Sequence, residues 1–105
     1  MYLNQITIIG NVTRDPETKE TSSGSKRTTF GVAVDAGKDQ VDFFNVVQFD
    51  KPWPDDMLKK GSLVLVQGAM RSRRTEDGVY WAINANQVLV LNAKNGNRNN
   101  KKRED

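Results

Sequence analysis

Hydrophobic and polar residues alternate along most of this chain with the two-residue period of β-strands, not the 3.6-residue period of helices. Leu3 to Val12 reads as a first strand with Ile6 and Ile8 on one face, and Gly10 marks a bulge or bend in it. Thr13-Arg14-Asp15-Pro16-Glu17 is a turn signal, and the polar loop Thr21 to Ser25 leads into a second strand, Thr28 to Val34. Asp35 to Asp39 is a short connection, so the run Val41 to Phe49 is expected to return as a hairpin. Next, Pro54 is followed by Asp55 and Asp56, then by Lys59, Lys60 and Gly61. These are the start and stop signals of a helix of one or two turns, which Trp53, between two prolines, is expected to pin onto the barrel. Ser62 to Arg74 and Val79 to Leu91 are a fourth and a fifth strand, joined through Thr75-Glu76-Asp77-Gly78.

Strand, strand, strand, short helix, strand, strand predicts an all-β fold. The expectation is a five-stranded Greek-key barrel of the OB-fold type, with a short helix between strands three and four. Closure removes the exposed edges that such strands would otherwise present. The barrel is expected to occupy residues 1–92. Residues 93–105 are basic and Asn-rich with no apolar period, and are expected to be a disordered tail.

Composition narrows the function classes. The 105 residues contain neither histidine nor cysteine, which removes the usual bases, thiol nucleophiles and zinc ligands. The acids stand mostly in turn-like strings such as Asp55-Asp56 and Glu76-Asp77. An enzyme is not expected, nor any cofactor or metal. No apolar run approaches the roughly 18 residues needed to cross a bilayer, and no signal pattern opens the chain. The lack of cysteine suits a reducing compartment. The net charge of +3 belongs to residues 94–105, which hold five of the sixteen basic residues and two of the thirteen acidic ones. The rest of the chain is neutral overall, so binding of a polyanion would rest on local clustering.

Such a cluster exists. Beyond Gly68, which can bend the fourth strand, Met70-Arg71-Ser72-Arg73-Arg74 runs out along a hairpin. Guanidinium forks there suit backbone phosphates; a solvated charged hairpin is the alternative. On the third strand Phe43, Asn45, Val47 and Phe49 share one face, while Phe44, Val46 and Gln48 share the other. Phe43 and Phe49 would stand about 20 Å apart at strand rise, a spacing for a platform on which bases stack. Core or subunit contact is the alternative for these rings. Tyr80, on a face with Ala82, Asn84 and Asn86, is a further candidate stacker. Trp81 alternates with Val79, Ile83 and Ala85 and is expected in the core.

Taken together, these blocks resemble the bacterial-type single-stranded DNA-binding protein family. The resemblance covers residues 3–91. It rests on Ile8-Ile-Gly-Asn-Val-Thr-Arg-Asp-Pro-Glu17, Phe30-Gly-Val-Ala-Val34, Phe43-Phe-Asn-Val-Val-Gln-Phe49, Leu58-Lys-Lys-Gly-Ser62, Gln67-Gly68 and Arg71-Ser-Arg73. It implies an OB-fold subunit, usually tetrameric, that wraps single-stranded DNA without sequence preference. The family's stacking aromatics match Phe43 and Phe49, and its basic residues match Arg71, Arg73 and Arg74.

The chain also departs from the family. Lys38, in a shortened loop, and Thr75 stand where the family has aromatics, which predicts weaker binding or a smaller site. Phe44 replaces a common histidine, so subunit contacts are expected to differ. The end Lys101-Lys-Arg-Glu-Asp105 lacks the acidic segment and apolar tip that recruit replication partners. That implies either a shortened sequence or a phage- or plasmid-type member. The basic tail would then add phosphate contacts or remain a solvated end.

The expected function is therefore sequence-independent coating of single-stranded DNA in replication, recombination or repair. Phe43, Phe49 and Tyr80 would stack bases, with Arg71, Arg73, Arg74, Lys59, Lys60 and Lys38 on phosphates. The expected partners are single-stranded DNA and further copies of the chain, as a tetramer or, alternatively, a dimer, with no membrane. The expected location is a bacterial cytoplasm or nucleoid, or a phage-infected host. The alternatives are a primosome-type OB-fold adaptor working through protein–protein contacts, and an assembly module whose aromatics are all interface.

Overall fold

The computed structural model describes residues 1–50 and 57–92. It contains six strands: β1 (Ile6–Val12), β2 (Glu17–Glu20), β3 (Lys26–Gly37), β4 (Gln40–Phe49), β5 (Leu63–Thr75) and β6 (Gly78–Val90). Five of them close on themselves in the order β1-β5-β6-β4-β3 and back to β1, with β2 appended to β3. Neighbours are antiparallel except β4 and β6, which run parallel. This is the OB-fold barrel that the strand pattern predicts.

The inward positions of the strands fill the interior. Phe30 and Val32 of β3, Val46 of β4, Val64 and Val66 of β5 and Ile83 of β6 are all fully buried. Leu58, in the segment before β5, plugs one end. Truncating Phe30 to alanine in so small a core would cost roughly 3–5 kcal/mol.

Closure depends on backbone contact at two glycines. A Cβ on Gly10 would run into the carbonyl oxygen of Ala33, so β1 meets β3 only with glycine there. This close approach, together with the pairs Asn11↔Ala33 and Val12↔Val32, replaces the expected bulge. At Gly68 a Cβ would meet the Asn84 carbonyl oxygen. The β5–β6 register shifts there, leaving Asn86 as an extra residue on β6.

Other expectations are corrected. The first strand begins at Ile6, not Leu3, which is exposed. Just before it, the Asn4 side chain takes the place of a strand partner: its Nδ2 donates to the Met70 carbonyl at 2.7 Å, and its Oδ1 accepts from the Met70 N–H at 3.0 Å. Glu17–Glu20 is a strand that the pattern did not signal. All four residues are exposed and none is apolar, so alternation leaves no trace in the sequence. Its fixed points are the β3 ladder and a 2.9 Å hydroxyl contact between Thr18 and Thr28.

No helix occurs among the described residues. Most of the helix expected before β5, with Trp53, lies outside them, and Met57 to Gly61 runs as turns ending at Gly61 with φ 93°. Ser62 organises that turn: its hydroxyl accepts from the Lys59 N–H at 3.1 Å and its carbonyl from the Val12 N–H at 2.9 Å. The tail expected over 93–105 also lies outside the described residues.

Candidate nucleic-acid interface

β4 and β6 pair at two positions only, Val46↔Ile83 and Val47↔Asn84. Because they run parallel, the hairpins they belong to leave the barrel at the same end. One arm, from β3 and β4, turns through Gly37 (φ 122°) and Asp39 (φ 59°). The other, from β5 and β6, turns through Glu76 and Asp77 into Gly78 (φ 139°), with the Asp77 N–H donating to the Thr75 hydroxyl at 3.2 Å. Five residues of β6 stand beyond Ile83, an arm of roughly 16 Å at strand rise.

Where β4 and β6 part at this end, a groove of about 420 Å³ lies between the β5–β6 arm and the outer wall of β3 and β4. Its floor includes Thr29, Asn45, Val47 and Ala82, all short side chains. Among the described residues four arginines line it, Arg14, Arg27, Arg71 and Arg73, together with Tyr80 and Trp81, and no carboxylate does. Four guanidinium groups gathered in this way form a site for phosphate oxygens.

Strand geometry explains how each arginine arrives. Arg71 pairs across with Ala82 and Arg73 with Tyr80, so these side chains share the outer face of the arm. Arg27 occupies the outer face of β3, opposite Phe49. Arg14 follows Thr13, whose N–H donates to the Gly31 carbonyl at 2.9 Å. Its Nη1 lies 2.6 Å from where a Cβ on Gly31 would stand, so the guanidinium rests on bare backbone.

The aromatic faces of β4 separate as the alternation implies. Phe43 is 74% exposed and Phe49 44%, while Phe44 is turned inward and packs against the core. Neither exposed phenylalanine lines the groove itself; they lie on the same strand at either side of it. Tyr80, 51% exposed, borders it.

Trp81 is a correction. Its face is indeed that of the buried Ile83 and Ala85, but the barrel wall ends at Ile83, and Trp81 beyond it is 55% exposed on the groove.

The remaining candidates are dispersed. Arg74 pairs with Val79 on the opposite face of the arm from Arg71 and Arg73. Lys38 stands at the tip of the other arm. Lys59 and Lys60 lie on the turn before β5, whose strand runs roughly 26 Å from Leu63 to Arg71, and the Lys60 N–H donates to Asp15 Oδ1 at 2.9 Å, beside Arg14. Arg14, Arg27 and Trp81 are the groove residues that sequence reasoning passed over. The signal for Arg27 was its alternation with Thr29 and Gly31, visible once the strand is extended back to Lys26. Among the described residues no group of three acids could hold a metal ion.

Comparison with known proteins places this geometry. Residues 3–99 match the single-strand binding protein family. The single-stranded DNA-binding protein of Thermotoga maritima is 41% identical over 85 residues, which cover 71% of this chain and 60% of that protein. Single-stranded DNA-binding protein A of Bacillus subtilis is 32% identical across 90% of this chain and 62% of its own length. The chain thus spans about three fifths of these relatives. The crystal structure of the wild-type single-stranded DNA binding protein from Thermus aquaticus superposes with a TM-score of 0.70 at 28% identity, over 84% of this chain and 40% of that one.

Proposed function

The chain belongs to the single-strand binding protein family, and from that premise we propose that it coats single-stranded DNA stoichiometrically, by stacking bases and holding phosphates, without catalysis. The observation that carries this is the groove beside the β5–β6 arm, with four arginines and no acid among its described lining residues, and exposed rings on and beside it. Arg14, Arg27, Arg71 and Arg73 hold the backbone there. Tyr80 and Trp81 stack bases within the groove, and Phe43 and Phe49 extend the platform along β4. Arg74 and Lys38, on the arms, and Lys59 and Lys60, on the turn before β5, meet DNA that leaves the groove. The barrel, residues 1–92, is the binding domain. The tail carries the excess positive charge and adds weak phosphate contacts.

A homo-oligomer, a tetramer by family resemblance, fits an apolar row on the outer face of β1, β5 and β6. Ile9, Leu65 and Leu89 form a cross-strand row there, with Ile9 and Leu89 about half exposed. The setting consistent with this role is a bacterial cytoplasm or nucleoid, or an infected host, with DNA replication, recombination or repair as the process served.

The test is a titration of oligo(dT) at several salt concentrations, followed by tryptophan fluorescence and by anisotropy of labelled DNA. Four phosphate contacts predict a log–log salt slope of about −3 for a single strand, with little response to duplex. Negligible binding at low salt would leave the adaptor alternative, with the aromatic face as a protein interface.

A further inference from the structure

We infer that the depression where the β4–β6 seam opens at its other end is a base-edge subsite, favouring a nucleobase that carries an exocyclic amino group. The inference rests on the proposal that the chain binds single-stranded DNA, and adds a local base preference to otherwise sequence-tolerant binding.

Past Val47↔Asn84, β4 continues through Gln48 to Asp50 while β6 continues through its bulge, and a depression of about 470 Å³ lies between them. Among the described residues its lining is opposite in charge to that of the arginine groove: Asp50 is the one charged residue there. A carboxylate at that place favours the polar edge of a base over a phosphate.

Phe49 links the two regions. Its ring borders the depression, and its cross-strand neighbour is Arg27 of the groove. A nucleotide with its phosphate on Arg27 and its base on Phe49 would present its edge to the depression.

Two backbone irregularities shape that edge-facing wall. Asp50 has φ 59°, a conformation uncommon for residues other than glycine. It is held by its N–H donating to the Lys26 carbonyl at 2.7 Å and its Oδ1 accepting from the Lys26 N–H at 3.3 Å. Asn86 is the extra residue of the β6 bulge, and it and Gln87 are both exposed in the depression. Bulges re-aim side chains in this way beside functional sites.

The donor and acceptor inventory sets the preference. The amides of Asn86 and Gln87 both donate and accept, but the Asp50 carboxylate only accepts. Cytosine offers it the N4 amino group, whereas thymine presents the O4 acceptor at the same place.

The experiment measures the affinities of labelled oligo(dC) and oligo(dT) of equal length and takes their ratio, in the parent and in Asp50→Asn, Asn86→Ala and Gln87→Ala. Asparagine tolerates the Asp50 backbone conformation and keeps an oxygen for the Lys26 N–H. The salt slope on oligo(dT), set by the arginines, reports whether the fold and phosphate contacts persist. Asp50→Asn should lower the dC:dT ratio on the order of tenfold, while the two alanine variants should weaken both oligonucleotides several-fold and leave the ratio as it was. A ratio unchanged or raised in Asp50→Asn, with the salt slope retained, overturns the subsite alone. Failure of the parent to bind either oligonucleotide at low salt overturns both the subsite and the single-stranded DNA reading.

Discussion

The two openings of the β4–β6 seam share one origin and have contrary chemistry. At both, a pair of parallel strands joined at only two positions splays apart and leaves a hollow. Among the described residues, the hollow beside the β5–β6 arm has four arginines and no acid, and the hollow beyond Phe49 has one aspartate and no basic residue. The cause of the difference is which elements supply the walls. The arms are free strands whose outer positions tolerate long charged side chains, so arginine can alternate there without entering the core. The other wall is a bulge and a left-handed turn, which favour Asn and Asp. One seam thereby offers separate environments for the two halves of a nucleotide.

The largest way to break this comparison is to remove charge from one hollow only. Arg71→Ala with Arg73→Ala should reduce oligo(dT) affinity on the order of 100-fold at low salt and flatten the salt slope by about 1.4. The dC:dT ratio should stay as it was. Lys59→Ala with Lys60→Ala, at the far end of β5, should change affinity by less than about threefold. An effect as large as that of the arginine pair would mean that phosphates do not concentrate in the groove.

A smaller effect sharpens the aromatic part. Trp81→Ala should cost roughly 1–3 kcal/mol of binding, the range for losing one stacked base, with little change in salt slope and only a small loss of thermal stability. A fall in melting temperature as large as that of a core truncation would instead return Trp81 to the interior. Tyr80→Ala should behave in the same way.

The smallest expected effect tests positioning. Gly31→Ala meets no backbone penalty, but its methyl would displace the Thr13 hydroxyl and the Arg14 head. Affinity should fall by a few-fold and the slope by at most about 0.7, one phosphate. Arg14→Ala should reproduce the same loss, and the double variant should be no worse than Arg14→Ala alone.

Much of this was legible in the sequence because a half-buried strand writes its two faces into alternate residues. The face of Ile83 and Ala85 was readable as core, and the separation of Phe43 and Phe49 from Phe44 followed from the same period. Two kinds of information were missing. An exposed strand such as Glu17–Glu20 buries nothing, so it has no pattern to read. The height of the barrel wall is not written in the alternation either. Trp81 has the parity of a core residue, and only the point at which β4 stops pairing with β6 places it outside. Arg14, read as part of a turn, joined the groove through the absence of a side chain at Gly31, a contact between residues far apart in sequence.

The two-position seam also governs how the molecule opens. β1 and β5 share a ladder of six residue pairs, and β5 and β6 one of twelve. β4 and β6 are joined at two, as are β1 and β3. Opening free energies track such differences in local anchoring, so amide hydrogens at the seam should exchange with solvent through a local parting of the two hairpins, well below the cost of global unfolding. A strand of DNA lying across both arms would act as a clasp on that parting. Protection of the seam amides would then rise on binding, even though no nucleotide touches them.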